Sequence, residues 1–90
     1  MEDVKIIDLY FARNEDAICQ TDATYGRKLF CLAQRILHDE QDSEESVNDT
    51  YMKTWDCIPP HFPEVLAAFV GKITRRISLN KWYAKNRKKR

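Results

Sequence analysis

Pro59, Pro60 and Pro63, the only prolines, lie within five positions, and nothing else in the chain so firmly interrupts helical periodicity. Proline lacks an amide donor and restricts the residue before it, so Pro59-Pro60 must stop one helix. Pro63 suits the first turn of the next. The two glycines, Gly26 and Gly71, are the only other breakers, and so few favour helices joined by few tight turns. The expected fold is all-α, a compact bundle of three to four helices. A chain of 90 residues supports one modest core, burying about 60–65% of its unfolded surface.

The apolar spacing outlines the helices. Val4 to Ala12, with Val4, Ile7 and Phe11 as the inward stripe, reads as a short buried helix. Asn14 is a candidate N-cap, followed by Glu15 and Asp16, where acids favour the helix dipole. A second helix is expected over 15–37, with Ile18, Tyr25, Leu29, Leu32, Ala33 and Ile36 facing inward. Gly26 inside it costs about 1 kcal/mol relative to Ala, which a kink or a close helix contact would explain. His38 to Gln41 reads as a turn. Asp42 then opens a third helix with Glu45 as capping-box partner, and its stripe is Val47, Tyr51, Trp55 and Ile58. The last helix carries Leu66, Phe69, Val70, Ile73 and Ile77, all read as core, and continues through Trp82 and Tyr83.

Charge is divided more sharply than the net +1 suggests. Residues 1–70 hold all 14 acids and 6 bases; residues 71–90 hold 9 bases and no acid. Such asymmetry points to two surfaces with different partners, although a solvated acidic face and a solvated tail would produce the same count. The acidic first residues and the lack of a long apolar run argue against a secretory signal or a membrane span. Three cysteines, Cys19, Cys31 and Cys57, without a Cys-x-x-Cys pair fit reduced, buried, inert thiols and a cytoplasmic location.

Recognisable catalytic chemistry is missing from the pattern. Gly26 and Gly71 stand alone, so there is no phosphate loop. His38 and His61 have no Cys or His at metal-ligand spacing. No serine sits in a nucleophile elbow, and the acids of 39–45 lack the loop spacing and turn glycine of a calcium site. No catalytic residue, metal or cofactor is expected, and the expectation is a binding module rather than an enzyme. The last helix combines an apolar face, a basic face and aromatic residues, which suits a nucleic-acid strand: cations neutralise phosphates while rings stack on unpaired bases. Trp82 and Tyr83 would equally serve to cap the core.

A family resemblance runs through nearly the whole chain. Asp42-Ser43-Glu44-Glu45-Ser46-Val47-Asn48-Asp49-Thr50-Tyr51-Met52-Lys53-Thr54-Trp55 resembles region 2.2 of bacterial RNA polymerase sigma factors. In the extracytoplasmic-function group of the sigma-70 family, that segment reads roughly D-A-E-D-L-V-Q-E-T-F-L-R-A-W. Residues 68–81, Ala-Phe-Val-Gly-Lys-Ile-Thr-Arg-Arg-Ile-Ser-Leu-Asn-Lys, are similar to W-L-x-x-I-A-R-N-L-A-L-D of regions 2.3 and 2.4. Tyr25-Gly26-Arg27 through Ala33-Gln34-Arg35-Ile36-Leu37 is similar to region 2.1.

The resemblance implies a sigma region 2-like helical domain over 1–84, with 85–90 a basic tail or the start of a linker to a helix-turn-helix domain. It implies docking on the clamp helices of the polymerase β′ subunit through Glu45, Asn48, Asp49 and Met52, each of the first three one methylene longer or shorter than its family counterpart. It also implies capture of the non-template strand of the promoter −10 element. His61 and Phe62 of the loop would line a pocket for a flipped base, or Phe62 would plug the core. Lys72, Arg75, Arg76, Asn80, Lys81, Trp82 and Lys85 would contact DNA. Arg76 replaces the family's Asn, which favours phosphate over a base contact. Trp55 would pack inside. An anti-sigma protein is a further partner that the family admits. Two other readings stay open: a generic nucleic-acid module using only its basic end, and a self-associating domain whose acidic 39–49 face meets the basic end of another copy.

Overall fold

A computed structural model describes residues 2–87 as four helices: α1 (Asp3–Phe11), α2 (Asp16–Leu37), α3 (Glu40–Cys57) and α4 (Leu66–Arg87). No strand occurs among the described residues. Helix α4 runs through the expected tail junction as far as Arg87; Lys88, Lys89 and Arg90 of that tail lie outside the described residues. α2 is the central element and packs on each of the other three, and α3 and α4 also pack on each other.

The core gathers Ile6, Ile7, Tyr10, Ala17, Leu29, Val47, Tyr51, Ile58, Leu66 and Val70. Each such large apolar side chain removed from water contributes about 1.5–3 kcal/mol. In α1 the inward face is Ile6, Ile7 and Tyr10, not the expected Val4 and Phe11, which are exposed. A helix of nine residues turns only one narrow face inward, and three neighbouring side chains fill it. In α2, Leu29 and Ala33 are buried as expected, while Ile18, Tyr25, Leu32 and Ile36 flank them half-buried. Cys19 and Cys31 are exposed instead of buried, because both fall on the outer side of α2; Cys57 is intermediate, and all three thiols are free.

Two start signals moved. α3 begins at Glu40, two residues before the expected Asp42, because Asp39 is the cap: its carboxylate accepts from the Asp42 amide at 2.9 Å. Asp42 is thus the residue whose amide is capped, and Glu45 is no capping-box partner. α4 begins at Leu66, three residues beyond Pro63, which is buried in the connection. Glu15 stands at the cap of α2 and makes no side-chain bond there, but Asn14 just before it supplies the side-chain oxygen, accepting from the Asp16 amide at 2.9 Å.

The Pro59-Pro60 break leaves a hydrogen-bond deficit that the sequence reading did not resolve. The carbonyl of Trp55 would ordinarily accept from the residue four positions on, which is Pro59 and has no N–H. Arg13 supplies the missing donor. It sits between α1 and α2 in the left-handed region, at φ 54°, an uncommon position for a non-glycine residue. Its guanidinium donates to the Trp55 and Ile58 carbonyls, both at 2.9 Å, and lies over the Trp55 ring, 3.8 Å from its centroid. Trp55 therefore packs half-buried against the core with its outer face covered by a cation.

Three tyrosine hydroxyls tie α1, α2 and α3 together. Tyr10 shares a 2.7 Å hydrogen bond with Thr21, Tyr25 donates to Asp3 at 2.5 Å, and Tyr51 donates to Asp22 at 2.7 Å. The glycine in α2 belongs to the last of these: a Cβ at Gly26 would stand 2.5 Å from an Asp22 carboxylate oxygen and 3.3 Å from the Tyr51 hydroxyl. The close helix contact expected there is with Tyr51.

Two outcomes follow from these contacts. Arg13→Ala removes two charge-assisted hydrogen bonds and a cation–π contact and is expected to destabilise the domain by about 2–3 kcal/mol, with Arg13→Lys intermediate, as read by urea unfolding. In alkali, the hydrogen bond to Asp3, burial and the Asp3 charge push Tyr25 up to about 12, and burial with the Asp22 hydrogen bond raises Tyr51. A phenol whose folded pKa is raised stabilises fully below its ordinary value near 10 and loses that contribution as pH climbs through the folded value. Thermal melts should fall steeply between pH 10 and 12, and Tyr25→Phe should flatten that fall.

Candidate nucleic-acid interface

The site begins with how α3 and α4 meet. α3 and its C-cap bury two lines: Val47, Tyr51 and the cap residue Ile58, which were expected, and Ser43, Ser46, Thr50 and Thr54, which were not. α4 answers with Leu66, Val70, Thr74 and Ser78, every fourth residue. The Thr50 and Thr74 hydroxyls are 2.7 Å apart across the seam. Ser43, Thr50, Thr54 and Thr74 each reach the carbonyl four residues back in their own chain, at 2.6 to 2.9 Å. A hydroxyl has one proton, so whichever of Thr50 and Thr74 donates across the seam gives up its bond to the carbonyl four residues back, while the other keeps that bond and accepts. Bonded in this way, small polar side chains are buried at low cost and let two backbones approach. The hydroxyls of Ser46 and Ser78 are buried without a partner.

Turning Leu66, Val70, Thr74 and Ser78 inward rotates the rest of the expected α4 stripe outward. Phe69, Ile73 and Ile77, read from the sequence as core, are only half-buried. They floor a groove of about 450 Å³ between α3 and α4, completed by Lys53, Cys57, Lys72, Arg76 and Asn80. Lys53, Lys72 and Arg76 are exposed at its rim, and none lies within 4 Å of a carboxylate among the described residues. An apolar floor with unpaired cations above it is the arrangement that holds an unpaired base below and its phosphates above. His61 extends the floor, its ring stacked on Phe69 at 5.1 Å and 22°.

The other candidates are distributed less uniformly. Phe62 is 54% exposed and pairs with Phe11 at 5.8 Å, so it does not plug the core. Arg75 is exposed but outside the groove lining. Trp82 and Tyr83 do not cap the core either: both are exposed, edge to face at 5.3 Å, beside a second hollow shared with Asn80, Asn86 and Arg87.

Glu45, Asn48, Asp49 and Met52 are all exposed and follow the i, i+3, i+4, i+7 spacing of one helix face. Met52, 59% exposed, is the apolar spot on an otherwise polar surface. This face is not independent of α4. The Lys81 ammonium donates to Glu45 at 2.6 Å and lies 3.6 Å from Asp49; Lys85 reaches Asp42 and lies 4.0 Å from Asp39. Burial alone would lower the Lys81 pKa, but the Glu45 hydrogen bond and the charges of Glu45 and Asp49 outweigh it and raise it. The hydrogen bond to Asp42 raises that of Lys85. Two of the expected phosphate contacts are therefore already neutralised by acids of the expected protein-docking helix.

Lys53 and Cys57 in the groove, and Arg13 on the Trp55 and Ile58 carbonyls, were not expected from the sequence. Lys53 was discoverable only by knowing that its neighbours Thr50 and Thr54 face α4. Among the described residues, no three His, Cys, Asp or Glu side chains converge to hold a metal ion, and no helix is long and apolar enough to cross a membrane.

Replacing Glu45 by Gln and Asp49 by Asn removes the carboxylates that compete for Lys81. Exposed pairs are worth about 0.2–1 kcal/mol, so affinity for a labelled single strand should rise about two- to fivefold at low salt, measured by fluorescence anisotropy, with a steeper salt dependence.

Comparison of the chain with protein-family models, with curated proteins and with solved structures returned no match.

Proposed function

We propose that this chain is a sigma region 2-like module that docks on the β′ clamp helices of bacterial RNA polymerase and captures the non-template strand of the promoter −10 element, with no covalent step. The observation that carries the reading is the groove of α3 and α4, with its apolar floor of Phe69, Ile73 and Ile77 under Lys53, Lys72 and Arg76. Beside it, Glu45, Asn48, Asp49 and Met52 offer a polymerase helix an exposed face with charge, an amide and one soft apolar contact. Binding of this kind selects a strand already unpaired, or offsets the few kcal/mol of unpairing by stacking and phosphate contacts.

The alternative in which only the tail beyond Leu79 binds nucleic acid is less well supported, because Lys81 and Lys85 there are engaged by acids while Lys72 and Arg76, which precede it, are not. Self-association through opposite charges is also less well supported, since the ion pairs join the acidic and basic segments within one chain.

Two measurements test the proposal together. Purified core polymerase should retain the wild-type chain in a pull-down and lose the Glu45→Lys, Asp49→Lys variant. A −10-like single strand should bind the wild type with a log–log salt slope that becomes shallower by about 0.7 for each of Lys72 and Arg76 replaced by Ala. If core polymerase retains neither protein, the sigma reading is wrong; if the slope is unchanged, the groove is not where the strand binds.

A further inference from the structure

The bases of α2 take no part in the groove or in the ion pairs of α4. Residues 23–38 contain Arg27, Lys28 and Arg35 and no acid. All three are exposed, and among the described residues none has a carboxylate within 4 Å. Helix faces that serve only solubility mix their signs, and a helix gains stability from opposite charges three or four positions apart. The positions three and four residues either side of Arg27 and Lys28 are all uncharged. Arg35, in the last turn, complements the C-terminal end of the helix dipole, but Arg27 and Lys28 lie too far from that end for the same explanation.

The three cations border connected relief. One hollow of about 400 Å³ is lined by Arg27, Lys28, Cys31, Leu32 and Arg35. A second of about 400 Å³ continues from Cys31 and Arg35 to His38, which ends the helix in the left-handed region. From Arg27 to Arg35 the helix advances about 12 Å. Lys28 and Arg35, seven residues apart, fall within about 20° of each other around the helix and Arg27 stands about 80–100° to their side, so the three flank one hollow whose length matches about three to four phosphates of a duplex strand, which rise about 3.4 Å each.

We propose that the outer face of α2 is a second nucleic-acid surface, binding the phosphate backbone of a duplex through Arg27, Lys28 and Arg35. It rests on the reading of this chain as a nucleic-acid-binding module. It assigns the unpaired strand to the groove and a paired segment to α2, where contacts to phosphate require no base readout.

The test compares a short single strand with a junction of the same strand and a duplex, binding each to the full chain over a salt series. The Arg27→Ala, Arg35→Ala variant should bind the junction about tenfold more weakly, with a slope shallower by about 1.8, and should bind the single strand as the wild type does. The Arg27→Lys, Arg35→Lys variant, which retains the charge, should keep the junction slope. An unchanged junction slope in the Ala variant, equal losses on both ligands, or equal losses in the Lys and Ala variants would each overturn the proposal. So would binding of an acidic peptide to this face in preference to the junction. Failure of the groove reading is separate: it would appear as Lys72→Ala, Arg76→Ala leaving single-strand binding unchanged while the α2 variants still alter the junction.

Discussion

The contact on which the rest of this molecule depends is the hydroxyl seam between α3 and α4. Thr50 meets Thr74 at 2.7 Å, flanked by Ser43, Ser46, Thr54 and Ser78, all buried. Larger side chains on these lines would push the helices apart or turn α4 about its axis. Small hydroxyls avoid both, because a carbonyl one turn back or the hydroxyl across the seam accepts from Ser43, Thr50, Thr54 and Thr74. The rotation of α4 set by that seam exposes Phe69, Ile73 and Ile77 as a floor, places Lys72 and Arg76 along the rim, and brings Lys81 onto Glu45. The groove and the ion pairs are thus two consequences of one packing choice.

A second constraint lies at the other end of α3. The prolines that stop this helix also deprive the Trp55 carbonyl of its usual donor, and Arg13 replaces it from the far side of the α1–α2 connection. The same side chain covers the Trp55 ring and bonds the Ile58 carbonyl, fixing where the loop toward Phe62 departs. A residue held at φ 54° for this purpose joins the first connection of the chain to the last. The stacked His61 and Phe69 rings then carry the loop into the groove.

Electrostatically, the domain is less divided than its sequence. The acid-rich first 70 residues and the acid-free remainder suggested two separate surfaces. In the folded chain they meet along Lys81–Glu45, Lys81–Asp49 and Lys85–Asp42. A ligand that takes Lys81 frees two carboxylates on the face proposed for the protein partner, and a partner that takes those carboxylates frees Lys81. Linkage makes such an effect reciprocal, and the weakness of exposed ion pairs keeps it small.

The sequence by itself determined the class of the fold, a bundle of three to four helices, and the approximate limits of the helices, because helical periodicity and proline stops are local properties of the chain. It also determined that Leu66, Val70, Val47 and Tyr51 face inward, and which residues of α3 share an outer face, since a period of 3.6 residues places positions 45, 48, 49 and 52 together in any α-helix. What only the tertiary structure decided was rotation and pairing. An apolar stripe that includes both Val70 and Ile73 spans more of the helix than one neighbour can cover. Which edge is buried depends on what the facing helix presents, here threonines and serines that a hydropathy pattern counts as surface. Lys53 in the rim, Arg13 beneath the loop and the pairing of Lys81 with Glu45 all join residues 36 or more positions apart or on separate helices. No local pattern encodes such distances; they exist only after the seam has closed.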